Sequence, residues 1–180
     1  MIRTKSPVNF RTVSIYGPRV QLSPISDAYA DEIFAEFTDE ITRLMIPPTP
    51  KSVDEIRDFI RRCHANIENG TDLTFTILNR CNSEFLGVCG LHGIPDPQQP
   101  MLGIWLKKSA HGNKYGQEAI AALVEWARSN LVYDYLVYPC DEANLPSRKI
   151  AETLNGSIFR KGKVKSMSGR ELNEIAYKIA

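Results

Sequence analysis

Two glycines near the middle of the chain, Gly112 and Gly116, lie where a short apolar stretch gives way to a helical pattern. The stretch Met101–Leu106 is almost entirely apolar, which is typical of a buried strand. A helix that begins after such a strand and turn leaves its first N–H groups without partners inside the helix. The helix dipole adds about half a positive charge at the same end. The sequence therefore predicts an anion site here, most naturally for a phosphate group.

The spacing of the two glycines excludes two common phosphate motifs. No Gly-Lys-Ser/Thr sequence ends the loop, so it is not a P-loop. The pattern Gly112-x-x-x-Gly116 does not match the dinucleotide-binding fingerprint, and no early βαβ unit surrounds it.

The loop instead resembles the pyrophosphate loop of the GNAT N-acetyltransferases, and most closely that of the RimJ/RimL branch, which acetylates protein N-termini. The residues that match this branch are Gly103, Trp105, Leu106, Gly112, Tyr115, Gly116, Glu118 and Ala119. Two other segments resemble the family in the same order along the chain. Residues 86–92 are similar to its third strand, and residues 144–156 are similar to its asparagine, serine and Leu-Gly signature.

The resemblance implies an acetyl-CoA-dependent enzyme that transfers an acetyl group directly to a primary amine. The residues expected to bind coenzyme A are Leu106, His111, Gly112, Asn113, Lys114, Tyr115, Gly116, Gln117 and Asn144. Lys114 departs from the family, which usually has glycine at this position. A lysine fits if its φ is negative, with the ammonium near the phosphates. It could equally be a solvated lysine on a relaxed loop.

Two residues are the candidates for proton transfer. Ser147 matches the family serine, which we expect to protonate the leaving thiolate, although it could be an ordinary first-turn serine. The family often has a glutamate base where this chain has Met101, and a thioether cannot accept a proton. His92 is the next candidate because its ordinary pKa suits proton removal near neutral pH. It could also be a hydrogen-bonded histidine at the end of a strand, with water removing the proton instead.

The branch resemblance favours a protein or peptide α-amine as the acceptor. A small-molecule amine such as a polyamine or an aminoglycoside is the alternative. A further alternative is a GNAT module that binds coenzyme A without turnover, which the departures at Met101 and Lys114 would favour. Glu84 and Asp72 are interpreted as solvated acids in turns. The basic segment 160–170 could meet an acidic substrate or a ribose phosphate, or it could form a solvated hairpin.

Composition limits the remaining classes of function. The chain has 180 residues, 43% of them hydrophobic, and a net charge of +1. These values predict a single domain over residues 1–180 and no nucleic-acid or membrane partner. No apolar run reaches the ~20 residues of a membrane helix, and the first residues lack a signal-peptide core. We therefore expect a cytoplasmic protein. For its oligomeric state we expect either a monomer or a homodimer. The four cysteines lack zinc spacing, and no metal is expected.

Hydrophobic periodicity predicts an α/β domain with a mixed, mostly antiparallel sheet of six to seven strands and about four helices. The resemblance implies that this domain has the GNAT fold and that two strands splay into a V. Helices are expected at 24–37, 52–69, 115–130 and 144–156. Strands are expected at 73–78, 85–91, 101–106, 135–138, 157–160 and 174–179, with one strand or a strand pair within 11–22.

Overall fold

The computed structural model describes residues 1–180. Its strands are β1 (Arg3–Thr4), β2 (Ile15–Tyr16), β3 (Val20–Pro24), β4 (Asp72–Asn79), β5 (Phe85–His92), β6 (Met101–Leu106), β7 (Leu131–Val132), β8 (Leu136–Asp141), β9 (Ser157–Lys165) and β10 (Glu171–Ile179). Its α-helices are α1 (Ala30–Glu36), α2 (Asp39–Thr42), α3 (Val53–Asn69), α4 (Tyr115–Asn130) and α5 (Leu145–Thr153).

One eight-stranded sheet has the order β2-β3-β4-β5-β6-β8-β10-β9, and β1 pairs separately with β7. Every neighbouring pair is antiparallel except β6 and β8, which are parallel. The predicted α/β class with a mostly antiparallel sheet is confirmed. The elements that were not predicted are the short strands β1 and β7 and the short helix α2, which carry too few residues to show a periodicity.

Each face of the sheet carries its own hydrophobic cluster. Helix α4 packs on one face through Ile120, Leu123 and Val124. Helices α1 and α3 pack on the other face, where Ile33 and Ile60 are buried. Since both faces of the central strands are covered, β4 is buried continuously from residue 73 to residue 78 rather than on alternate residues.

Helix α3 is bounded as the sequence predicted. The Ser52 hydroxyl accepts a hydrogen bond from the Glu55 N–H (3.3 Å), as in a capping box. The Glu55 carboxylate accepts from the N–H of Lys51 (2.9 Å), one residue before the capping position. The helix ends at Gly70, whose φ of 61° is the left-handed conformation that glycine adopts without strain.

The first predicted helix, at 24–37, is wrong over its first half. Pro24 ends strand β3, and Ser26 caps a 3₁₀ turn by accepting from the Ala28 N–H (3.3 Å). The α-helix begins at Ala30. Phe34 on this helix is exposed, because so short a helix buries only a narrow face, formed by Ala30 and Ile33.

The closing strands are longer than predicted and form a hairpin that extends to Lys165 and Glu171. Strand β9 is the edge of the sheet and is exposed on both sides. Its second half is rich in charged residues and shows no apolar alternation, so the sequence pattern predicted a strand that was too short. Three of its cations pair with acids at close range: Arg160 with Glu174, Lys161 with Glu142 and Lys163 with Glu171.

Strands β6 and β8 separate soon after they meet. Their only register pair is Met101 with Val137, and the Val137 N–H donates to Pro100 O (2.9 Å). The even-numbered residues of β8 bond to β10, so the odd-numbered ones face β6. The next odd-numbered residue is Pro139, which has no N–H to donate. The ladder therefore loses its donor at this point, and a gap opens between the two strands.

The β6 side of this gap, which we call the β6–β8 gap, carries unpaired backbone groups. The Lys107 N–H donates to Leu86 O (2.9 Å), which fixes the register with β5. Beyond the Met101–Val137 pair, Ile104 directs its N–H and C=O groups toward β8, and Leu106 directs its N–H there as well. The β6–β8 gap is the V that the family resemblance implied.

Candidate active site

The start of α4 forms a row of free backbone donors. None of the N–H groups of residues 112–117 donates a hydrogen bond within the protein. Gly112, Asn113 and Lys114 are exposed, so these donors are accessible. Successive free N–H groups at a helix N-terminus suit an anion through both their hydrogen bonds and the helix dipole. We call residues 112–117 the anion loop.

Lys114 adopts a conformation that its sequence position did not predict. It precedes α4 with φ 63° and ψ 10°, in the left-handed region, whereas a negative φ was expected for a lysine here. This conformation is disfavoured for a side chain with a Cβ atom. Some other contact must hold the loop in this shape.

The two glycines of the anion loop serve different purposes. Gly112 has φ 76°, and nothing lies within 4 Å of where its Cβ would be, so the backbone conformation alone requires glycine. A Cβ on Gly116 would lie 3.1 Å from Cδ1 of Ile150 and 3.5 Å from Cδ1 of Leu106. Gly116 therefore lets α4 approach β6 and α5 closely.

Leu106 and His111 lie between the anion loop and the β6–β8 gap. The His111 Nε2 is 2.9 Å from Leu106 O, so this carbonyl oxygen already has a hydrogen-bond partner within the protein. The Leu106 N–H stays directed into the gap. A ligand that follows β6 could therefore receive backbone bonds from the same strand end that leads into the anion loop.

The first turn of α5 places Asn144 and Ser147 beside β8. The Asn144 side-chain oxygen accepts from the Ser147 N–H (3.2 Å), as predicted for a helix cap, and its amide group donates no bond within the protein. The Ser147 hydroxyl is 2.9 Å from the hydroxyl of Tyr138. Burial raises the pKa of Tyr138, so this hydroxyl stays protonated. Tyr138 was not singled out from the sequence.

Cys140 lies next to the same serine. Burial raises the pKa of its thiol to about 11, although the Ser147 hydroxyl lowers it somewhat by hydrogen bonding. A thiol with this pKa is protonated near neutral pH and is a poor nucleophile. The arrangement therefore favours a proton role for Ser147 rather than a covalent role for Cys140.

The His92 ring lies over a gap in the side chains of β5 and β6. A Cβ on Gly90 would be 2.9 Å from the His92 Nε2, and a Cβ on Gly103 would be 3.4 Å from it. The two glycines pair with each other across the strands. The ring therefore occupies space that any larger residue at position 90 would take, and it keeps 40% of its side chain exposed.

Asp72 lies behind His92 and is not the solvated acid that was expected. Its side chain is only 15% exposed, and its two oxygens accept from the Asn66 amide (3.1 Å) and the Gly93 N–H (3.0 Å). The His92 Nδ1 is 3.8 Å from Asp72 Oδ1. Burial lowers the pKa of His92, and Asp72 offsets part of that effect, so the ring is neutral near pH 7. Glu84 does pair at the surface, with Lys107.

The two candidate proton-transfer residues lie on opposite faces of the sheet. His92 shares its face with Trp105, Phe85 and Val88, which pack under α1 and α3. Ser147 contacts Tyr138, which belongs to the cluster under α4. His92 lies on β5, one strand away from the β6–β8 gap, level with the Met101–Val137 pair at which the gap begins. Tyr138, which Ser147 contacts, is the residue that follows Val137 on β8.

A separate groove of about 780 Å³ runs along the outer side of α4. It is bordered by residues 14–18 on one side and by Thr153 and Leu154 on the other. Of the predicted site residues it contains Gln117 alone. No helix of the protein combines the length and the apolar character that a membrane crossing requires.

The anion loop and the unpaired edge of β6 fit two adjoining parts of coenzyme A, the pyrophosphate and the arm that ends in the thiol. The free N–H groups of residues 112–117 suit a pyrophosphate. The unpaired edge of β6 suits an extended arm with amide groups, which can bond to it like an added strand.

Several solved structures share this fold. An acetyltransferase from Salmonella typhimurium that modifies the N-terminal serine of a 50S ribosomal subunit protein superposes with a TM-score of 0.77 at 17% identity, covering 93% of this chain and 100% of that chain. The microcin self-immunity acetyltransferase MccE, in complex with acetyl-CoA and AMP, gives 0.78 at 18%, covering 89% and 92%. The ribosomal α-N-protein acetyltransferase RimL, in complex with coenzyme A, gives 0.74 at 18%, covering 93% and 98%.

These identities are low enough that the superpositions establish the fold alone. Among curated proteins, none matches the chain. The model of one family, the acetyltransferase (GNAT) domain, matches residues 19–156, which include the anion loop, both flanks of the β6–β8 gap and Ser147. The chain therefore belongs to the GNAT acetyltransferase family.

Proposed function

We propose that the protein transfers the acetyl group directly to the α-amine of a protein or peptide, with His92 as the base and Ser147 as the acid. The observation that carries the proposal is that these two residues lie on opposite faces of the sheet, both close to the Met101–Val137 pair at which the β6–β8 gap begins. Direct transfer needs a proton removed at the amine and a proton delivered at the departing sulfur. Two groups on opposite sides can perform both tasks without exchanging a proton with each other.

Coenzyme A would be held mainly by backbone groups. We propose that the anion loop binds the pyrophosphate and that the free amide group of Asn144 and the Leu106 N–H bind the arm in the gap. When bound, acetyl-CoA supplies the acetyl group as a thioester. Holding the carrier in this way replaces a bimolecular encounter by a positioned one.

His92 would take the proton from the acceptor amine at Nε2. This nitrogen lies over Gly90 and Gly103, on the open side of the ring, while Nδ1 faces Asp72. Because burial lowers the pKa of His92, the ring is unprotonated and able to accept near neutral pH.

Ser147 would deliver a proton from Oγ on the other face. The Tyr138 hydroxyl can donate its hydrogen bond to the same oxygen, which leaves the Ser147 O–H free to point into the gap. The bond from Tyr138 also stabilises negative charge that develops on Oγ during the transfer.

The carboxylate beside the histidine supports an acceptor with a single amine. Both oxygens of Asp72 already accept hydrogen bonds, one from Asn66 and one from Gly93. A polyamine or an aminoglycoside carries several cations that need several free acids. Two of the structural neighbours are described as acting on ribosomal protein N-termini, which also favours a peptide acceptor.

The test is an acceptor comparison with purified protein and acetyl-CoA. The acceptors are peptides with a free N-terminus, the same peptides with a blocked N-terminus and an internal lysine, spermidine and an aminoglycoside. We expect mass spectrometry to find acetylation on free peptide N-termini and little on the other acceptors. Faster acetylation of spermidine or of the aminoglycoside would overturn the peptide proposal. Coenzyme A binding without turnover of any amine would favour a binding module.

A further inference from the structure

Arg19 reaches the anion loop from the start of β3. Its Nη2 donates to Asn113 O (2.6 Å), and its Nε donates to Oε1 of Glu118 (2.7 Å). The other carboxylate oxygen of Glu118 accepts from the Arg19 N–H (3.1 Å). The guanidinium also lies 4.7 Å from the centre of the Tyr115 ring. One arginine thus contacts the loop, the first turn of α4 and the aromatic ring between them.

The bond to Asn113 O determines how the next peptide group is oriented. A trans peptide is planar, and its C=O and N–H point in opposite directions. With Asn113 O directed at Arg19, the Lys114 N–H points away from Arg19, and it donates no bond within the protein. Arg19 therefore determines the direction of one donor of the anion loop.

The same contact explains how lysine tolerates a left-handed conformation. Lys114 has φ 63° without a side-chain cap of its own. Such strain persists only where the surroundings fix the backbone more strongly than the residue resists. The bond from Arg19 to the preceding carbonyl, anchored on Glu118, supplies that restraint.

We propose that Arg19 is a positioning residue for coenzyme A, because with Glu118 it holds Lys114 in the left-handed conformation and aims the donors of the anion loop. The proposal rests on the assignment of that loop as the pyrophosphate site. Arg19 would thus supply, through its side chain, the loop shape that a glycine at position 114 would adopt unaided.

The first experiment measures coenzyme A binding by calorimetry, so that it does not depend on acetyl transfer. We expect Arg19→Ala to weaken binding about tenfold. Arg57→Ala is the matched control, since its side chain is 46% exposed against 48% for Arg19 and it forms surface ion pairs on α3. That variant should bind like wild type. At saturating acetyl-CoA, Arg19→Ala should keep kcat and the KM for the acceptor unchanged.

The second experiment distinguishes an effect of Arg19 on the conformation of the anion loop from an effect on the stability of the whole protein. Adding Lys114→Gly to Arg19→Ala should recover most of the lost affinity, because glycine holds the left-handed conformation without support. Glu118→Gln, which keeps the shape of the side chain but removes its charge, should weaken binding about threefold. It provides the same test if Arg19→Ala does not fold.

The outcomes distinguish the inference from the site on which it rests. If wild type binds coenzyme A and both Arg19→Ala and Glu118→Gln bind it equally well, the role of Arg19 is overturned and the loop assignment stands. Loss of affinity that Lys114→Gly does not recover would also overturn the role. If wild type binds no coenzyme A, both the loop assignment and the role of Arg19 are wrong.

Discussion

The face of the sheet under α4 is closed by packed side chains, whereas the face under α3 is open over Gly90 and Gly103. Under α4, a Cβ on Gly116 would lie 3.5 Å from Cδ1 of Leu106 and 3.7 Å from Cδ1 of Ile104, and most of the groups offered to a ligand are backbone N–H groups. Under α3, the open patch has the ring of His92 above it. The same face buries polar side chains, including a Thr76 hydroxyl without a hydrogen-bond partner.

The difference teaches how this chain divides binding from chemistry. Backbone donors bind through the shape of the loop, so most side chains of the α4 face can vary as long as that shape persists. Proton transfer needs a particular side chain with a suitable pKa at a particular place. Changes on the α3 face should therefore affect the rate and leave the affinity for the cofactor unchanged.

His92→Gln should produce the largest loss. Glutamine keeps hydrogen-bonding groups but cannot accept the proton, so we expect kcat to fall about a hundredfold, within the usual contribution of a general base. Coenzyme A affinity and Tm should remain those of wild type. A parallel loss of coenzyme A affinity would contradict the assignment of cofactor binding and proton removal to different faces of the sheet.

Ser147→Ala should lower kcat about tenfold with little change in the KM values. The effect is smaller than that of His92 because a thiol, with an ordinary pKa near 8.5, leaves without much help from an acid. Steady-state kinetics measures both parameters. Ser157→Ala, at the exposed start of β9, is the control. An unchanged kcat would mean that another group protonates the sulfur.

Gly90→Ala should lower kcat about fivefold, since its Cβ would lie 2.9 Å from the His92 Nε2 and must push the ring aside. Gly103→Ala is the matched substitution on the facing strand, where the distance is 3.4 Å and the ring needs to move only slightly. The ratio of the two kcat values measures how sensitive the reaction is to the place of the ring. Equal values would indicate that the ring is not positioned by the glycine patch.

Asp72→Asn should have the smallest effect, a shift in pH dependence. Activity requires neutral His92, so kcat/KM falls as pH drops through the pKa of His92, which burial places below its ordinary value. Asp72 raises this pKa, so its loss should move the acid limb to still lower pH and leave the plateau unchanged. Glu84→Gln, whose acid pairs with Lys107 instead, should not move the limb. A shift toward higher pH would contradict the role of Asp72.

The sequence was most informative where one local pattern decides the structure. Strand Met101–Leu106 and helix Tyr115–Asn130 have the bounds that were predicted, since an apolar run and a helical repeat each depend on neighbouring residues. The 24–37 prediction was wrong because β3 continues to Pro24 through pairing with β4, which no local pattern reveals.

The site residues that sequence analysis missed depend on distant contacts. Arg19 meets Glu118 across 99 positions of the chain, and nothing around Arg19 distinguishes it from a loop arginine. Asp72 looked like a turn acid because its partners, Asn66 and Gly93, come from two different elements. The left-handed Lys114 was likewise unexpected, since its support comes from Arg19.

Pro139 has a consequence for the protein before any ligand arrives. By removing one donor from β8 it leaves an open strand edge in the middle of the sheet rather than at its border. Open edges are templates on which foreign strands can add, and proteins usually shield them. Coenzyme A bound as proposed would shield this edge, and it would also stabilise the fold by mass action. We expect the freshly folded chain to resist aggregation best when coenzyme A is abundant, so that cofactor supply helps to set how much usable protein accumulates.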